Sequence, residues 1–427
     1  MDISIIGSGY VGLCTAVGFA SLGHKVICVD VEKEKVDKIN HGVPTIYEDG
    51  LEARLKAAVE AKQITATTDT DYAVKNSEIS FIAVGTPSKD DGSIDLTYVK
   101  KVSRELGKAL RNKDGYHVIA VKSTVVPGTT DDIVIPELER HSGKKAGEFG
   151  VCMVPEFLRE GKALHDFLNP DRIVIGELDK KSGDIAEKIH EKLKTPILRK
   201  NIKTAEMIKY ASNTFLAAKI SLINEIGNIC KKLGIDVYDV AEAVGYDRRI
   251  GKLFLEAGIG FGGSCFRKDI SALLKKADQL GCEPKLIKAM LDTNKGQPLK
   301  IIELLEKKTN VKGKKIAVLG LSFKAGTDDV RDSPAAVIIK ELTDKGAFIS
   351  AYDPNAVENM RKRFPGITYA DIGECLDNAD ACLILTDWDE FRQLEDRDFD
   401  KMRNRIILEG RRVLGRNKVR GFEGVAW

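Results

Sequence analysis

The chain runs to 427 residues, more than one small hydrophobic core serves, so two or three domains are expected. Hydrophobic residues make up 43% and charged residues 31%, the composition of a soluble globular protein. With 67 basic against 64 acidic side chains the net charge is only +3, which excludes bulk attraction to nucleic acid or to a membrane surface.

Any acidic ligand must therefore be met by locally placed Lys and Arg. No apolar run approaches the ~20 residues that span a bilayer. The opening residues read as a strand and lack an export-signal pattern, so a cytoplasmic location is expected. The eight cysteines, at 14, 28, 152, 230, 265, 282, 375 and 382, contain no CxxC pair. That scatter argues against a zinc site or a disulfide framework and fits a reducing compartment, and no metal is expected.

The stretch DISIIGSGYVGLCTAVGFASLGHKVICVD (2–30) reads as strand, glycine turn, helix and second strand. Gly7, Gly9 and Gly12 form G-x-G-x-x-G. The first allows a tight turn, the second lets a pyrophosphate approach the backbone, and the third lets helix and sheet pack closely. Tyr10 and Val11 then open a helix whose N–H groups can face phosphates. Asp30 ends the second strand, where a carboxylate can bind both ribose hydroxyls and would repel a 2′-phosphate. That combination favours NAD over NADP; a glycine turn without a cofactor is the alternative.

Further strands are expected at 78–84, 116–122, 149–154 and 172–177, with helical stretches between most of them. Such alternation predicts a parallel, helix-covered sheet of the Rossmann type. Polar turns follow at Gly85-Thr86-Pro87, Ser123-Thr124 and Pro155-Glu156, and should line one crevice beyond the strands' carboxyl ends. In PEFLREG (155–161), Glu156 and Glu160 would face the same way if the segment is one helical turn. A solvated acidic helix start is the other reading.

Residues 204–234 have neither Pro nor Gly before Gly227. Ile208, Ala211, Phe215, Ala218, Leu222, Ile226, Ile229 and Leu233 recur at helical spacing. A helix of roughly 45 Å follows, either a rod joining two domains or a face for dimerisation. Lys209 and Asn213 lie off that stripe. They are either a snorkelling lysine beside an amide or two donors aimed at developing negative charge.

In GFGGSCFRKD (260–269) a cysteine follows a run of glycines and precedes Arg267, Lys268 and Asp269. A helix is expected to begin soon after Cys265. A thiol near a helix N-terminus and beside two cations favours its thiolate, so a nucleophile is expected here. Asp269 would lie one turn on.

Residues 314–354 repeat the opening plan, with Gly320 for Gly7 and Asp353 for Asp30, and 379–388 echo 78–87. The other fingerprint glycines are missing, and Phe323 and Lys324 occupy the turn. This predicts a second Rossmann-like domain adapted to a different phosphorylated ligand, with Lys324, Arg331, Arg411 and Arg412 as candidate cations. The expected whole is α/β, two Rossmann-like doubly wound domains joined by a long central helix. Residues 1–200 would be the NAD-binding domain, 201–300 the connector and dimerisation region carrying the cysteine, and 301–427 the second nucleotide domain.

An NAD fold together with a nucleophilic thiol suggests oxidation to a carboxylate. The thiolate adds to an aldehyde, the adduct loses hydride, and water cleaves the thioester. A two-electron hydroxyacid dehydrogenase and a nucleotide-sugar binding protein without turnover are the alternatives.

GSGYVG, VGTP, STVVPGT, PEFLREG, EMIKYASNTFLA, GFGGSCFRKD, FKAGTDDVRDSP and GRRV, in that order from end to end, resemble the motifs of the UDP-glucose/GDP-mannose dehydrogenase family. Members oxidise nucleotide sugars by four electrons to uronates. FGGSC followed by FRKD is similar to the UDP-glucose branch, and the GDP-mannose branch has a closely similar loop. UDP-N-acetyl-aminosugar relatives read more like GGHC followed by Val-Asp-Pro.

The resemblance implies roles for this sequence. Cys265 would form the thiohemiacetal and thioester, and Lys209 and Asn213 would stabilise the oxyanion. Asp269, Glu160 and Thr124 with a water would handle protons, and a lysine as base in the first step is a variant. Thr86, Thr124, Glu160, Lys35, Lys268 and Arg331 would join Gly7, Gly9–Gly12 and Asp30 around NAD. Glu156, Phe157, Leu158, Arg159 and Glu160 would cradle the UDP-sugar, with Phe254, Leu255, Glu256, Ala257, Gly258 and Gly262. Lys324 and Arg411 would meet the UDP. Arg249, or Arg248 beside it, would reach a neighbouring subunit's site, which implies a homodimer through the long helix.

Overall fold

The computed structural model describes residues 1–427. The chain forms two compact units, Met1–Ser212 with Ser271–Lys276, and Asn213–Ile270 with Ala277–Trp427. The 201–300 region is thus shared between them.

The first unit holds an eight-stranded sheet: β1 Asp2–Ile6, β2 Lys25–Val29, β3 Ile64–Thr67, β4 Ile79–Ile82, β5 Val118–Val121, β6 Gly150–Met153, β7 Ile173–Glu177 and β8 Ile197–Lys200. Their order is β3-β2-β1-β4-β5-β6-β7-β8. Alternate residues of a strand face opposite sides. In β5, Val118 and Ala120 join Ile3, Ile5, Leu13 and Phe19 on one face, while Ile119 and Val121 join Ile82, Val99 and Leu106 on the other. Both faces are buried, which is why these strands read as continuous apolar runs.

The sheet departs from the expected all-parallel arrangement at one place: β7 pairs antiparallel with β6, Cys152 opposite Glu177. After β6 the chain takes an irregular course over 154–162, then the six-residue helix Ala163–Leu168. Such a helix advances only about 9 Å. The chain never travels back along the sheet, so β7 starts from the end at which β6 stopped. The edge strands β3 and β8 are short and part-exposed, and carry little pattern to announce them.

PEFLREG is correspondingly a loop and not the helical turn that would align Glu156 with Glu160. Its backbone donors go to side chains: Leu158 N–H to Glu156 Oε2 at 2.6 Å, and Arg159 N–H to Asp166 Oδ2 at 3.0 Å. Gly161 then takes φ +79°.

The second unit contains a six-stranded sheet, all parallel: β9 Lys315–Leu319, β10 Phe348–Tyr352, β11 Thr368–Tyr369, β12 Ala381–Ile384, β13 Ile407–Glu409 and β14 Phe422–Gly424, in the order β11-β10-β9-β12-β13-β14. The strands β9 and β12, with the helix Pro334–Asp344, supply its buried core.

The long helix is Ile202–Leu233, 32 residues. Its apolar stripe turns inward only in part: Ile208, Ala218 and Ile226 pack against hydrophobic cores. Phe215 is 75%, Leu222 60%, Ile229 59% and Leu233 67% exposed, while Ile223 and Cys230 on the adjacent face enter the second unit's core. Gly227 allows this packing, since a Cβ there would lie 2.9 Å from that of Ala426. No helix is long and apolar enough to cross a membrane.

Candidate active site

In the first unit the fingerprint turn joins β1 to the helix Tyr10–Ser21. Gly7 sits at φ +105°, a conformation closed to most side chains, and its Cβ would meet the Ala83 carbonyl oxygen at 2.6 Å. A Cβ on Gly12 would lie 1.8 Å from the Gly7 oxygen. Gly9 differs, because a Cβ there would meet nothing within 4 Å. Packing does not require glycine at that position, and the open space at a helix N-terminus suits a pyrophosphate. Asp30 ends β2 and accepts from Ser8 N–H at 2.9 Å and Glu32 N–H at 3.1 Å, remaining part-exposed. Lys35, one turn into the next helix, pairs with Glu32 at 2.6 Å. This turn fits the dinucleotide for which its pattern is built.

Tyr10 is held from below. Its hydroxyl bonds the Glu48 carboxylate and accepts from Gly161 N–H at 2.5 Å, and Glu48 itself accepts from Gly161 N–H at 2.9 Å and Leu164 N–H at 3.3 Å. Glu48, which the sequence reading missed, thereby ties the fingerprint helix to the end of the PEFLREG loop. Thr86 donates to the Thr124 carbonyl at 3.0 Å, joining the turns after β4 and β5. Val11 lies part-buried in the helix's first turn.

The carboxyl end of β6 delivers Glu156 to Lys209, an ion pair at 2.9 Å with both side chains buried. Burial works to raise the Glu156 carboxyl, but the Lys209 charge and hydrogen bond, the Leu158 N–H and Lys122 together hold it below its ordinary value. The Phe157 ring lies beside two cations, with the Arg172 guanidinium 4.1 Å and Lys209 Nζ 5.6 Å from its centroid. Leu158 packs against the core and Arg159 is committed to Asp166 at 2.7 Å. Glu160 lies near enough to Cys14 to add to burial in raising that thiol to about 12.

The second unit carries the cysteine loop. Cys265 directly precedes the helix Phe266–Gln279, and its carbonyl accepts from Asp269 N–H at 2.9 Å, closing the first turn. It is exposed, as is Cys282, while the other six cysteines are buried. Burial, the largest cause, pushes Cys28 and Cys152 up to about 12, so those thiols are inert at neutral pH. Asp269, 1% exposed, accepts from Asn213 Nδ2 at 2.7 Å and Lys268 Nζ at 2.6 Å. Arg267 pairs with Asp332 at 2.8 Å. The two cations beside Cys265 are therefore each engaged by a carboxylate.

The glycines before Cys265 serve contacts to the loop 323–334. A Cβ on Gly262 would meet the Asp332 oxygen at 2.4 Å, one on Gly263 the Phe323 ring at 2.8 Å, and Gly263 N–H donates to the Arg331 carbonyl at 3.0 Å. Arg331 itself pairs with Asp329 at 2.7 Å, and Lys324 Nζ lies 5.5 Å from the Phe323 ring centroid. Arg411 hydrogen-bonds the Gly260 carbonyl, and Gly258 N–H donates to the buried Asn224 at 2.7 Å.

In the stretch 254–258, Leu255 and Ala257 point into the core and Glu256 points out. A ligand there would meet backbone and Phe254. Phe254 holds φ +64°, unusual for a bulky residue. The turn before it is gripped by Lys219, which donates to the carbonyls of Ile250 at 3.1 Å, Gly251 at 3.4 Å and Leu253. Arg249 is 89% exposed and pairs with Asp247 at 2.7 Å. No group of three or more His, Cys, Asp or Glu side chains is placed to hold a metal ion.

Residues 1–194, 203–296 and 317–416 match, in turn, the NAD binding domain, the central domain and the UDP binding domain of the UDP-glucose/GDP-mannose dehydrogenase family. The UDP-glucose 6-dehydrogenase AglM of Haloferax volcanii is 47% identical over 432 residues, covering 100% of both chains. The chain belongs to the UDP-glucose/GDP-mannose dehydrogenase family. The GDP-mannose 6-dehydrogenase of Pseudomonas aeruginosa, 42% identical over 405 residues, covers 91% of this chain and 92% of its own. A solved UDP-glucose dehydrogenase from the hyperthermophilic archaeon Pyrobaculum islandicum superposes with a TM-score of 0.94 at 41% identity, covering 100% of this chain and 98% of that one. Within the family the first unit's fingerprint turn lies in the NAD binding domain, and the chain is an NAD-dependent oxidoreductase. Lys122 and Glu48 went unread in the sequence. A lysine closing the apolar run YHVIAVK was the available signal for the first, and nothing local marked the second.

Proposed function

We propose that this chain oxidises UDP-glucose at C6 to UDP-glucuronate, a four-electron reaction that reduces two NAD per sugar through a covalent intermediate on Cys265. What carries the reading is the placement of Cys265: an exposed thiol at a helix N-terminus, one turn from a buried Asp269 that is bonded by Asn213 and Lys268. UDP-glucose as substrate is supported by AglM and by the loop FGGSC–FRKD.

When bound at the fingerprint turn and Asp30, NAD supplies the hydride acceptor for both oxidations. In the first, the C6 hydroxyl loses its proton to a base as its carbon loses hydride. Cys265 Sγ then adds to the aldehyde carbon, and the oxygen that becomes negative is met by Lys209 and Asn213. Such preorganised donors are worth roughly 3–4 kcal/mol each in a water-excluded site. The thiohemiacetal gives up a second hydride and a proton, leaving a thioester. A water, held by Thr124 and deprotonated by Glu160 or Asp269, attacks the thioester carbon and expels the thiolate, so Cys265 is restored and a carboxylate leaves. Glu156 keeps Lys209 in place through the 2.9 Å pair.

Lys35, Thr86, Lys268 and Arg331 complete the NAD contacts in this reading, and Lys324 and Arg411 hold the UDP. The exposed stripe Phe215, Leu222, Ile229 and Leu233 is read as a homodimer face, across which Arg249 reaches the neighbouring subunit. The test is an NADH assay with UDP-glucose, GDP-mannose and UDP-N-acetyl sugars side by side. Two NADH per UDP-glucose are expected. One NADH per sugar removes the acid-forming chemistry, and turnover of GDP-mannose in preference reassigns the substrate.

A further inference from the structure

Residues 258–263 belong to no helix or strand, yet all of them are buried. Buried backbone groups need partners, and this glycine-rich segment finds several of them on side chains. Gly258 N–H donates to Asn224 Oδ1 at 2.7 Å, and its C=O accepts from Gln297 Nε2 at 2.8 Å. Phe261 N–H donates to Asn294 Oδ1 at 2.8 Å, and its C=O accepts from Asn294 Nδ2 at 3.0 Å. A primary amide carries acceptor and donor side by side, so one Asn side chain does for Phe261 what a neighbouring strand would do. Gly260 permits the approach. It holds φ +94°, and a Cβ there would lie 2.8 Å from Asn294 Oδ1.

The two anchored points lead to different parts of the site. Gly258 closes the stretch 254–258, where a ligand would meet backbone. Phe261 leads to the thiol, since Cys265 follows it after Gly262, Gly263 and Ser264. The Phe261 ring also stands edge-on to that of Phe266, with centroids 5.5 Å apart and planes at 89°. Phe266 is the residue next to Cys265 and the first of its helix. The apolar cluster around Phe261 includes Ile270 from the cysteine's helix and Met290 from Lys285–Gly296, the helix that carries Asn294. One helix therefore grips Phe261 twice, by its backbone through Asn294 and by its ring through Met290.

We propose that Asn294 is a positioning residue for the thiol step: by holding both backbone groups of Phe261, it fixes the end of the glycine loop from which Cys265 reaches the aldehyde carbon. Gln297 serves the other end, where the sugar nucleotide is cradled. This rests on the reading above, in which Cys265 is the nucleophile. In that step the S–C bond forms as the carbonyl pair moves onto oxygen, and the adduct's hydride then leaves to NAD. The first oxidation does not use the sulfur, so it should not depend on Asn294.

The experiment mixes limiting sugar nucleotide with excess enzyme and NAD and follows NADH with time. The sugar nucleotide is whichever of UDP-glucose and GDP-mannose the parent oxidises, and its dissociation constant and the thermal midpoint are measured alongside. The parent should release two NADH per sugar. Asn294→Leu removes both bonds to Phe261. Its first NADH should appear at the parent's rate and its second about thirty-fold more slowly, with the dissociation constant within about two-fold of the parent's. Asn294→Asp keeps the acceptor for Phe261 N–H but sets a carboxylate against its C=O. Its second NADH should also lag, and the lag should shrink as pH falls and the carboxyl regains a proton to donate. Gln297→Leu should do the reverse, weakening sugar-nucleotide binding about ten-fold without a lag between the two NADH.

Two NADH released by Asn294→Leu without a lag, or both slowed together, would overturn the assignment, whatever the midpoint does. An equal lag in Gln297→Leu would overturn it too, because the loop would then be loosened as a whole. If Asn294→Leu does not fold, Asn294→Asp decides by the same criterion. One NADH per sugar in the parent would overturn the acid-forming reading and this assignment with it, whereas two in the parent and no lag in the variants would count against Asn294 alone.

Discussion

The two sheets start from the same plan and end in different states. Each opens with a strand, a glycine in the left-handed region (Gly7 at φ +105°, Gly320 at φ +97°), a helix, a second strand and a terminal aspartate. In each, that aspartate turns back to the first turn: Asp30 to Ser8 N–H at 2.9 Å, Asp353 to Leu321 N–H at 2.7 Å. There the likeness stops. Asp30 is part-exposed beside a glycine with open space, whereas Asp353 is 2% exposed and accepts also from Ser322 N–H, Asn355 N–H, Ala356 N–H and the Trp388 indole at 3.1 Å. The second sheet has filled its dinucleotide position with its own side chains and lengthened the turn to residues 321–333, where Lys324 and Arg331 sit. One scaffold keeps its carboxylate for a ligand, and the other has made it part of the core.

The largest effect that would sharpen this contrast is on stability. Asp353→Asn places an amide against backbone donors in a buried site and should cost roughly 3–5 kcal/mol of the second unit's stability by denaturant unfolding. The KM for NAD should be unmoved. A mild effect on folding with a raised KM would mean that Asp353 still serves a ligand.

Two buried carboxylates should respond to pH with opposite signs. Burial, the largest cause, raises the fully buried Glu409 to about 7, although Val413 and Leu414 N–H groups bond it. Between about 4.5 and 7 the folded chain then binds more protons than the unfolded one. Stability falls as pH rises through that window, by up to about 3 kcal/mol. Glu156, held below its ordinary value, contributes stability that is present above about 4.5 and is lost as pH falls through its folded value. Melting followed from pH 4 to 8 checks this, and Glu409→Gln should flatten the upper window alone.

Gly9→Ala should fold with an unchanged midpoint, since nothing lies within 4 Å of the added methyl, yet raise the NAD dissociation constant about thirty-fold, or roughly 2 kcal/mol. A drop in melting temperature instead would show that the space is needed by the chain itself. Asp30→Asn is smaller, about ten-fold in NAD affinity by calorimetry, with little change in stability.

Much of this contrast could be read from residues in a row. The glycine spacing, the strand-terminal aspartates and the repeated plan are local, and so is the helix start behind Cys265. What stayed hidden depended on distant partners. Nothing in the residues flanking the two aspartates distinguishes Asp30 from Asp353, because Trp388 closes the second from 35 residues away. The reversal of β7 follows from how far a short helix can carry the chain, and PEFLREG is a loop because Asp166 and Glu48 capture its N–H groups. The helix stripe from Phe215 to Leu233 has the right period, yet Phe215, Leu222, Ile229 and Leu233 face solvent while Ala218 and Ile226 pack on cores, since periodicity fixes a face and not what covers it.

The central claim, covalent chemistry at Cys265, is tested most directly by acid-quenching the enzyme during turnover with NAD and UDP-glucose and mapping the peptides by mass spectrometry. The account predicts a sugar-nucleotide adduct on the peptide containing Cys265 and none on that containing Cys282, the other exposed thiol, with Cys265→Ser making no uronate. Full turnover by Cys265→Ser, with no adduct at Cys265 in the parent, would contradict it.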